Sequence, residues 1–164
     1  MNDIPDMTPK PAKEHAWLQK LVGNWESEME CVMGPGQPPM QSKGTESVCS
    51  IGGLWTIGEG KGDSPDGTAV VSIMTLGYDP QKKRFVGSFI ASMMTHMWLY
   101  EGTLAGETLT LDTTGPVFGA EPGKMTKYQD IISFRSSDHR TLTSRILGDD
   151  GKWTPFMSAN YRRK

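Results

Sequence analysis

The residue best suited to chemistry is an aspartate inside an apolar strand pattern. Asp130 alternates with Tyr128, Ile132 and Phe134, so the four side chains share one face of a predicted strand. If that face points into a core, a carboxylate without a partner would be strongly destabilising. Arg145, on the next predicted strand, is the expected partner. The pair would either orient the polar end of a ligand or serve as a structural ion pair.

Large apolar residues at alternating strand positions are the other candidates for a binding interior. The sequence has 11 methionines, whose flexible side chains suit surfaces that accommodate variable apolar shapes. Two interpretations stay open, because these residues could line a cavity or fill a packed core. The predicted ligand-binding residues are Met29, Trp55, Met74, Phe89, Met93, Trp98, Tyr100, Tyr128, Asp130, Arg145 and Met157.

Motifs for metals, cofactors and nucleophilic catalysis are missing from the sequence. His15, His96 and His139 are too far apart to form a ligand pair on one element, and Cys31 and Cys49 form no C-x-x-C pair. There is no Gly-x-Ser-x-Gly elbow. The glycine-rich run at 58–62 lacks the Lys-Ser/Thr pair of a phosphate-binding loop and opens no helix, so we interpret it as a hairpin end. We therefore predict no catalytic residue, no metal and no cofactor.

Charged residues in the other predicted strands are expected to face solvent, as charged groups usually do. They are Glu46, Glu59 and Glu101.

The elements that would position these residues are one helix and about ten strands. Apolar residues at helical spacing predict a helix over residues 11–22, which Gly23 ends. The period then changes to two, with Trp25, Met29, Cys31 and Met33 on one face of the first strand and acidic residues on the other. Turn residues separate the further predicted strands, which are 43–51, 54–60, 69–78, 84–93, 97–104, 108–113, 126–135, 141–147 and 153–161.

Consecutive strands with short connections fit few architectures. A parallel sheet needs helical crossovers, for which the sequence leaves no room. A sandwich would fit, but an up-and-down barrel removes the exposed strand edges. We predict an all-β antiparallel barrel of about ten strands, with the helix closing one end. We expect residues 1–11 to form a flexible segment and residues 12–164 to form a single domain.

Several motifs resemble known families. Gly23-Asn24-Trp25 resembles the Gly-x-Trp entry of calycins, such as lipocalins and fatty-acid-binding proteins. In calycins this Trp closes one barrel end, often against a basic residue of the last strand, which here would be Arg162 or Arg163. The motifs at 77–79, 92–102, 109–113, 128–130 and 139–145 resemble an uncharacterised bacterial family, defined as a domain of unknown function and grouped with the calycins. The resemblance implies a lipocalin-like barrel over about residues 15–163 and brings no established catalytic residues.

Composition limits the classes of partner. The net charge of -2, with basic and acidic residues interspersed, gives no electrostatic footprint for nucleic acid or anionic lipid. We expect a cytoplasmic protein that binds a small, largely apolar molecule and no nucleic acid or membrane. One alternative is a cyclase-type or isomerase-type enzyme that uses Asp130 for acid–base chemistry. The other is a homodimeric interaction protein without a ligand.

Overall fold

One short helix and ten antiparallel strands make up the fold. The computed structural model describes residues 6–32, 34–64 and 66–164. Helix α1 spans Lys13–Gln19. The strands are β1 (Gly23–Cys31), β2 (Met40–Ile51), β3 (Trp55–Asp63), β4 (Ala69–Asp79), β5 (Arg84–Ala91), β6 (Trp98–Ala105), β7 (Thr108–Pro116), β8 (Met125–Ser136), β9 (His139–Leu147) and β10 (Trp153–Arg163). Met33, predicted on the apolar face of the first strand, lies outside the described residues, as do residues 1–5.

The strands form the closed antiparallel barrel that the alternation predicts. Each strand pairs with its sequence neighbours, and β1 pairs with β10 to close the ring. The connections are short and of the kind that join antiparallel neighbours. They allow no other simple order of the strands around the barrel. The predicted all-β fold class, the strand number and the helix at one end are confirmed.

The helix is shorter at both ends than its pattern predicts. It begins after Ala12, and Lys20, Leu21 and Val22 each donate their backbone N–H to a carbonyl three residues earlier. Such bonds mark a tighter last turn than an α-helix. The apolar spacing continues through this turn because Leu21 still packs in the core.

Helix α1 covers one end of the barrel, which we call the closed end. Trp25 is fully buried there, and its Nε1 donates to the carbonyl oxygen of Leu21 at 2.8 Å. The Arg163 guanidinium lies 4.2 Å from the Trp25 ring centre and donates to the carbonyls of Val22 at 2.7 Å and Lys20 at 2.9 Å. The basic partner that the calycin resemblance implies is therefore Arg163, whereas Arg162 is exposed.

The opposite end, which we call the open end, carries the connections 92–97, 117–124 and 148–152. Inward side chains near the closed end are buried, whereas several near the open end, including Met29, Ser42 and Ser72, stay half-buried. The barrel is thus filled around Trp25 and opens gradually toward the other end.

No helix in the described part of the chain is long and apolar enough to span a membrane.

Candidate functional site

Asp130 lies midway along β8 and faces the barrel interior, as its strand parity predicts. Its carboxylate accepts one hydrogen bond from the Ser144 hydroxyl of β9, at 2.5 Å, and another from the Tyr100 hydroxyl of β6. Tyr100 and Ser144 are themselves buried. Three strands therefore converge on one interior carboxylate through two neutral donors.

The predicted pairing of Asp130 with Arg145 is wrong. The register of β8 and β9 sets Ser144 opposite Asp130 and Arg145 opposite Gln129. Because successive side chains of a strand point to opposite faces, Arg145 lies on the outer surface of the barrel. There its Nε donates to the Gln129 side-chain oxygen at 2.7 Å, and its guanidinium lies 5.1 Å from the Trp153 ring centre.

Asp130 has no cationic partner within the part of the chain that the structure describes. Burial raises the pKa of Asp130, and the hydrogen bonds from Ser144 and Tyr100 offset only part of that rise. Burial and the neighbouring Asp130 charge also raise the pKa of Tyr100, so this phenol remains a donor. The site is an interior carboxylate whose charge no counterion neutralises.

A buried ion pair forms the second interior polar group. Arg140 of β9 contacts the Glu46 carboxylate of β2, and their side chains are 4% and 15% exposed. The Arg140 guanidinium also lies 3.9 Å from the ring centre of Tyr161 and 4.7 Å from that of Trp25. Burial raises the pKa of Tyr161. The expectation that Glu46 faces solvent is wrong, because a cation within the barrel neutralises its carboxylate.

A cavity of about 20 Å³ lies beside this ion pair. Thr56, Gly58 and Met74 are among its lining residues, and the Arg140 Nε has no hydrogen-bond partner among the described residues. This volume holds about one water molecule. The interior at the level of Glu46 and Arg140 is therefore filled by side chains.

Most of the predicted apolar residues do face the interior. Trp98, Tyr100 and Tyr128 are buried, and Met29, Met74, Phe89 and Met157 are partly buried and pack against the core. Trp55 and Met93 do not: they are 43% and 64% exposed. Their predicted placement in the interior is wrong for two different reasons.

Trp55 lies on the outer face of β3, because Thr56 and Gly58 occupy the inner face. Its ring covers Gly77 so closely that a Cβ built there would come within 2.3 Å of it. Met93 lies beyond the end of β5, in a connection where strand alternation no longer applies.

Aromatic side chains cover one wall of the open end. The rings of Trp98 and Tyr128 meet edge to face with centres 5.0 Å apart, and Phe156 lies 6.0 Å from Tyr128. The Tyr128 hydroxyl donates to the Pro116 carbonyl at 2.6 Å. Trp98 packs directly over Gly115, where a Cβ would come within 2.0 Å of the ring. Any larger residue at 115 would displace this wall.

Small residues cover the opposite wall, which β1–β4 form. The inner face of β3 carries glycine at three alternate positions, and the inward residues of the adjoining strands include serines. The glycine run at 58–62 is therefore not a hairpin end, as the sequence predicts, but the middle of a strand whose inner face lacks side chains. β3 lies five strands from β8 around the ten-stranded ring, so this wall faces Asp130. The partly buried small residues are Ser27, Ser42, Gly44, Gly60, Gly62 and Ser72.

We give the name open-end cleft to the inner barrel surface that these walls form, several of whose residues are half-buried and so partly accessible. It is bounded by Trp98, Tyr128 and Met157 on one side and by Ser42, Gly60 and Ser72 on the other. Asp130 lies at mid-barrel depth, farther from the open end than Tyr128 on the same strand. The cleft therefore combines an apolar wall, a wall of small residues and one carboxylate.

A further groove, of about 500 Å³, lies at the closed end between α1 and β5–β6. Trp17, Phe85 and Leu104 line it, with Lys13 and Lys83 at its edge. It contains none of the predicted ligand-binding residues and is separate from the open-end cleft.

Replacing Asp130 by asparagine is expected to stabilise the protein at neutral pH. Because the folded-state pKa lies above the unfolded value of 3.8, the stability is full below that value and falls as pH rises from there to the folded-state pKa. Asp130→Asn removes this loss and should raise the free energy of unfolding at neutral pH by more than the ~0.5 kcal/mol range of ordinary surface substitutions. The difference in the free energy of unfolding between Asp130→Asn and wild type should decrease as pH falls toward the unfolded-state pKa. Urea denaturation over a pH series measures it.

Asp112→Asn is the matched control, since Asp112 is an exposed aspartate on the neighbouring strand β7. This variant should change the stability by less than about 0.5 kcal/mol throughout the pH series. A wild-type protein as stable as Asp130→Asn above neutral pH would contradict the buried, unneutralised carboxylate.

Comparison with solved structures supports the barrel. The crystal structure of Rv2717c from M. tuberculosis has a TM-score of 0.61 and 12% identity, and the alignment covers 94% of this chain and 99% of that one. The structure of EF1p2_mFAP2b bound to DFHBI has a TM-score of 0.51 and 17% identity, with coverage of 92% and 98%. At these identities the likeness is one of fold alone.

No protein with a curated function matches the chain. Residues 10–163 match the family model described as a protein of unknown function, DUF1579. The match covers nearly the full length and agrees with the domain of unknown function that the sequence motifs resemble. The chain therefore belongs to the DUF1579 family.

Proposed function

We propose that the barrel binds a small, largely apolar molecule in the open-end cleft. The observation that carries this proposal is the interior carboxylate of Asp130, which Tyr100 and Ser144 hold at mid-barrel depth, with half-buried inward residues between it and the open end. Binding sites of this kind combine apolar walls with a few polar groups that fix the ligand's orientation. The ligand's apolar part would lie against Trp98, Tyr128 and Met157, with its polar end at Asp130.

Two further observations support the proposal. The wall opposite Trp98 carries half-buried serines and glycines on its inner face, whereas the inward residues near the closed end include large buried side chains such as Trp25 and Phe85. A barrel of similar fold, EF1p2_mFAP2b, is bound to DFHBI. The grouping with the calycins and the cytoplasmic location are part of this proposal and rest on the sequence motifs and composition alone.

A leucine at position 72 should obstruct the cleft. Ser72 faces the interior from β4, and a leucine there would occupy the space in front of the β3 glycines. We expect Ser72→Leu to weaken binding of the neutral apolar dye Nile red by about tenfold or more, which is ~1.4 kcal/mol. Fluorescence titration of the purified protein measures the dissociation constant.

Ser47→Leu is the matched control, because it makes the same change on the exposed outer face of β2. This variant should bind Nile red as the wild type does. Circular dichroism and thermal melting show whether both variants fold. Either a wild-type protein that does not bind Nile red or equal affinities for Ser72→Leu and wild type would contradict the proposed function.

A second candidate function is acid–base catalysis on the same class of molecule by an isomerase-type or cyclase-type enzyme. The hydrogen-bonded pair of Asp130 and Tyr100 favours it, because burial raises the pKa of both groups and allows a proton to be held at Asp130. Asp130→Asn in a turnover assay separates the two functions: an enzyme would lose turnover, whereas a binding protein need lose only affinity.

A further inference from the structure

The charges inside the barrel do not balance. Three charged side chains face the interior of the described barrel: Glu46, Arg140 and Asp130. Glu46 and Arg140 form an ion pair with each other. Arg163 lies at the closed end, where it pairs with Asp138 at 3.4 Å. One negative charge, that of Asp130, therefore lacks a counterion.

The hydrogen bonds to Asp130 leave acceptor capacity unused. An ionised carboxylate has about four lone-pair sites, and the Tyr100 and Ser144 hydroxyls fill one on each oxygen. Both donors are neutral, so they orient the carboxylate without cancelling its charge. A further donor that carries a positive charge would satisfy both the free acceptor sites and the missing counterion.

The neighbours of Asp130 also suit a cation. Tyr128 precedes Asp130 by two residues on the inner face of β8, and Trp98 precedes Tyr100 by two on the inner face of β6. Aromatic ring faces attract cations as well as apolar groups. A ligand carboxylate in the same position would instead bring two like charges together in an apolar setting, which is unfavourable.

We infer that the open-end cleft selects apolar molecules with a protonated amine, which donates to Asp130, over neutral analogues and over carboxylates. This inference rests on the proposed function and specifies its ligand class. The apolar part of the molecule would contact Trp98, Tyr128 and Met157. Tyr100 and Ser144 would hold the carboxylate in position and would not bind the cation themselves, because their hydroxyl protons point to Asp130.

The experiment compares three molecules of one chain length as competitors for bound Nile red at neutral pH. Dodecylamine should displace the dye at about tenfold lower concentration than dodecanol, and dodecanoate should need a concentration about tenfold above that of dodecanol. Asp130→Asn should abolish the advantage of dodecylamine over dodecanol when both are measured on that variant. All concentrations stay below those at which the amphiphiles aggregate.

Asp112→Asn is again the control, since it removes one negative charge from the outer surface. It should retain the full preference for the amine, which separates a local contact from a general attraction to an acidic protein. The ranking measured on the wild type tests the inference even if Asp130→Asn does not fold.

The outcomes distinguish this inference from the proposed function. Dye binding without a preference for the amine, or a preference that survives in Asp130→Asn, overturns the inference and leaves the proposed function standing. If neither Nile red nor any of the three competitors binds, both are overturned.

Discussion

Replacing Arg140 by methionine is expected to lower the free energy of unfolding by about 3–5 kcal/mol, as is usual when one partner of a buried ion pair is removed. The Glu46 carboxylate would remain in the interior without its cation, and the guanidinium would no longer cover the rings of Tyr161 and Trp25. Urea denaturation followed by circular dichroism measures the loss.

Two controls make the result specific. Lys124→Met breaks an ion pair with Asp149 that is largely exposed, and it should cost less than about 1 kcal/mol. The double variant Glu46→Leu with Arg140→Met removes both charges, and its stability should return to within about 1 kcal/mol of the wild type. Arg140→Met and Lys124→Met with equal losses would contradict the buried pair.

The ion pair also bears on the site, because it leaves Asp130 as the interior charge to which a ligand can respond. If Arg140 instead faced Asp130, the cleft would be neutral, and we would expect it to show no preference for a cation. The preference for an amine and the large cost of Arg140→Met therefore follow from the same arrangement of three charged residues. The two measurements are independent, since one concerns affinity and the other stability.

The barrel could be predicted because its signals are local. Alternation along each strand, turn residues between strands and the change of period at Gly23-Asn24-Trp25 need no knowledge of distant contacts. The inward position of Asp130 follows from the same rule, since its neighbours at two-residue spacing are Tyr128 and Ile132.

The partners of Asp130 could not be predicted because strand register decides them. A shift of one residue between β8 and β9 replaces Ser144 by Arg145 and reverses the face of the whole strand. Tyr100 comes from β6, which pairs with neither β8 nor β9. Likewise, Glu46 and Arg140 meet although two strands, β1 and β10, separate β2 from β9 in the ring.

One feature of the cleft, its wall of small residues, could be predicted from the sequence. Glycines at 58, 60 and 62 recur with the period of a strand, so they mark one face without side chains rather than a turn. This face points inward, which sets Trp55 outside although it is the largest apolar residue of the strand. Apolar character alone therefore assigns the wrong face where the inner face of a strand consists of glycine.

Trp25→Ala is expected to lower the free energy of unfolding by about 3–5 kcal/mol, the range for a large aromatic residue lost from a core. Trp25 is fully buried at the closed end, where it joins α1 to the barrel through the Leu21 carbonyl and lies beneath Arg163. Its removal would leave a cavity between the helix and the strands, and the stacking of Arg163 would be lost. Chemical denaturation measures the change.

Trp55→Ala is the matched control, with the same substitution on a residue that is 43% exposed. Its ring covers the backbone of Gly77 on the outer surface, so water replaces much of the lost contact and no cavity forms. We expect less than half of the loss seen for Trp25→Ala, because the cost of a truncation depends on the area buried and the cavity left. Equal losses for the two variants would place Trp55 in the core and would reverse the inner and outer faces of β3, and with them the wall of small residues that the cleft requires.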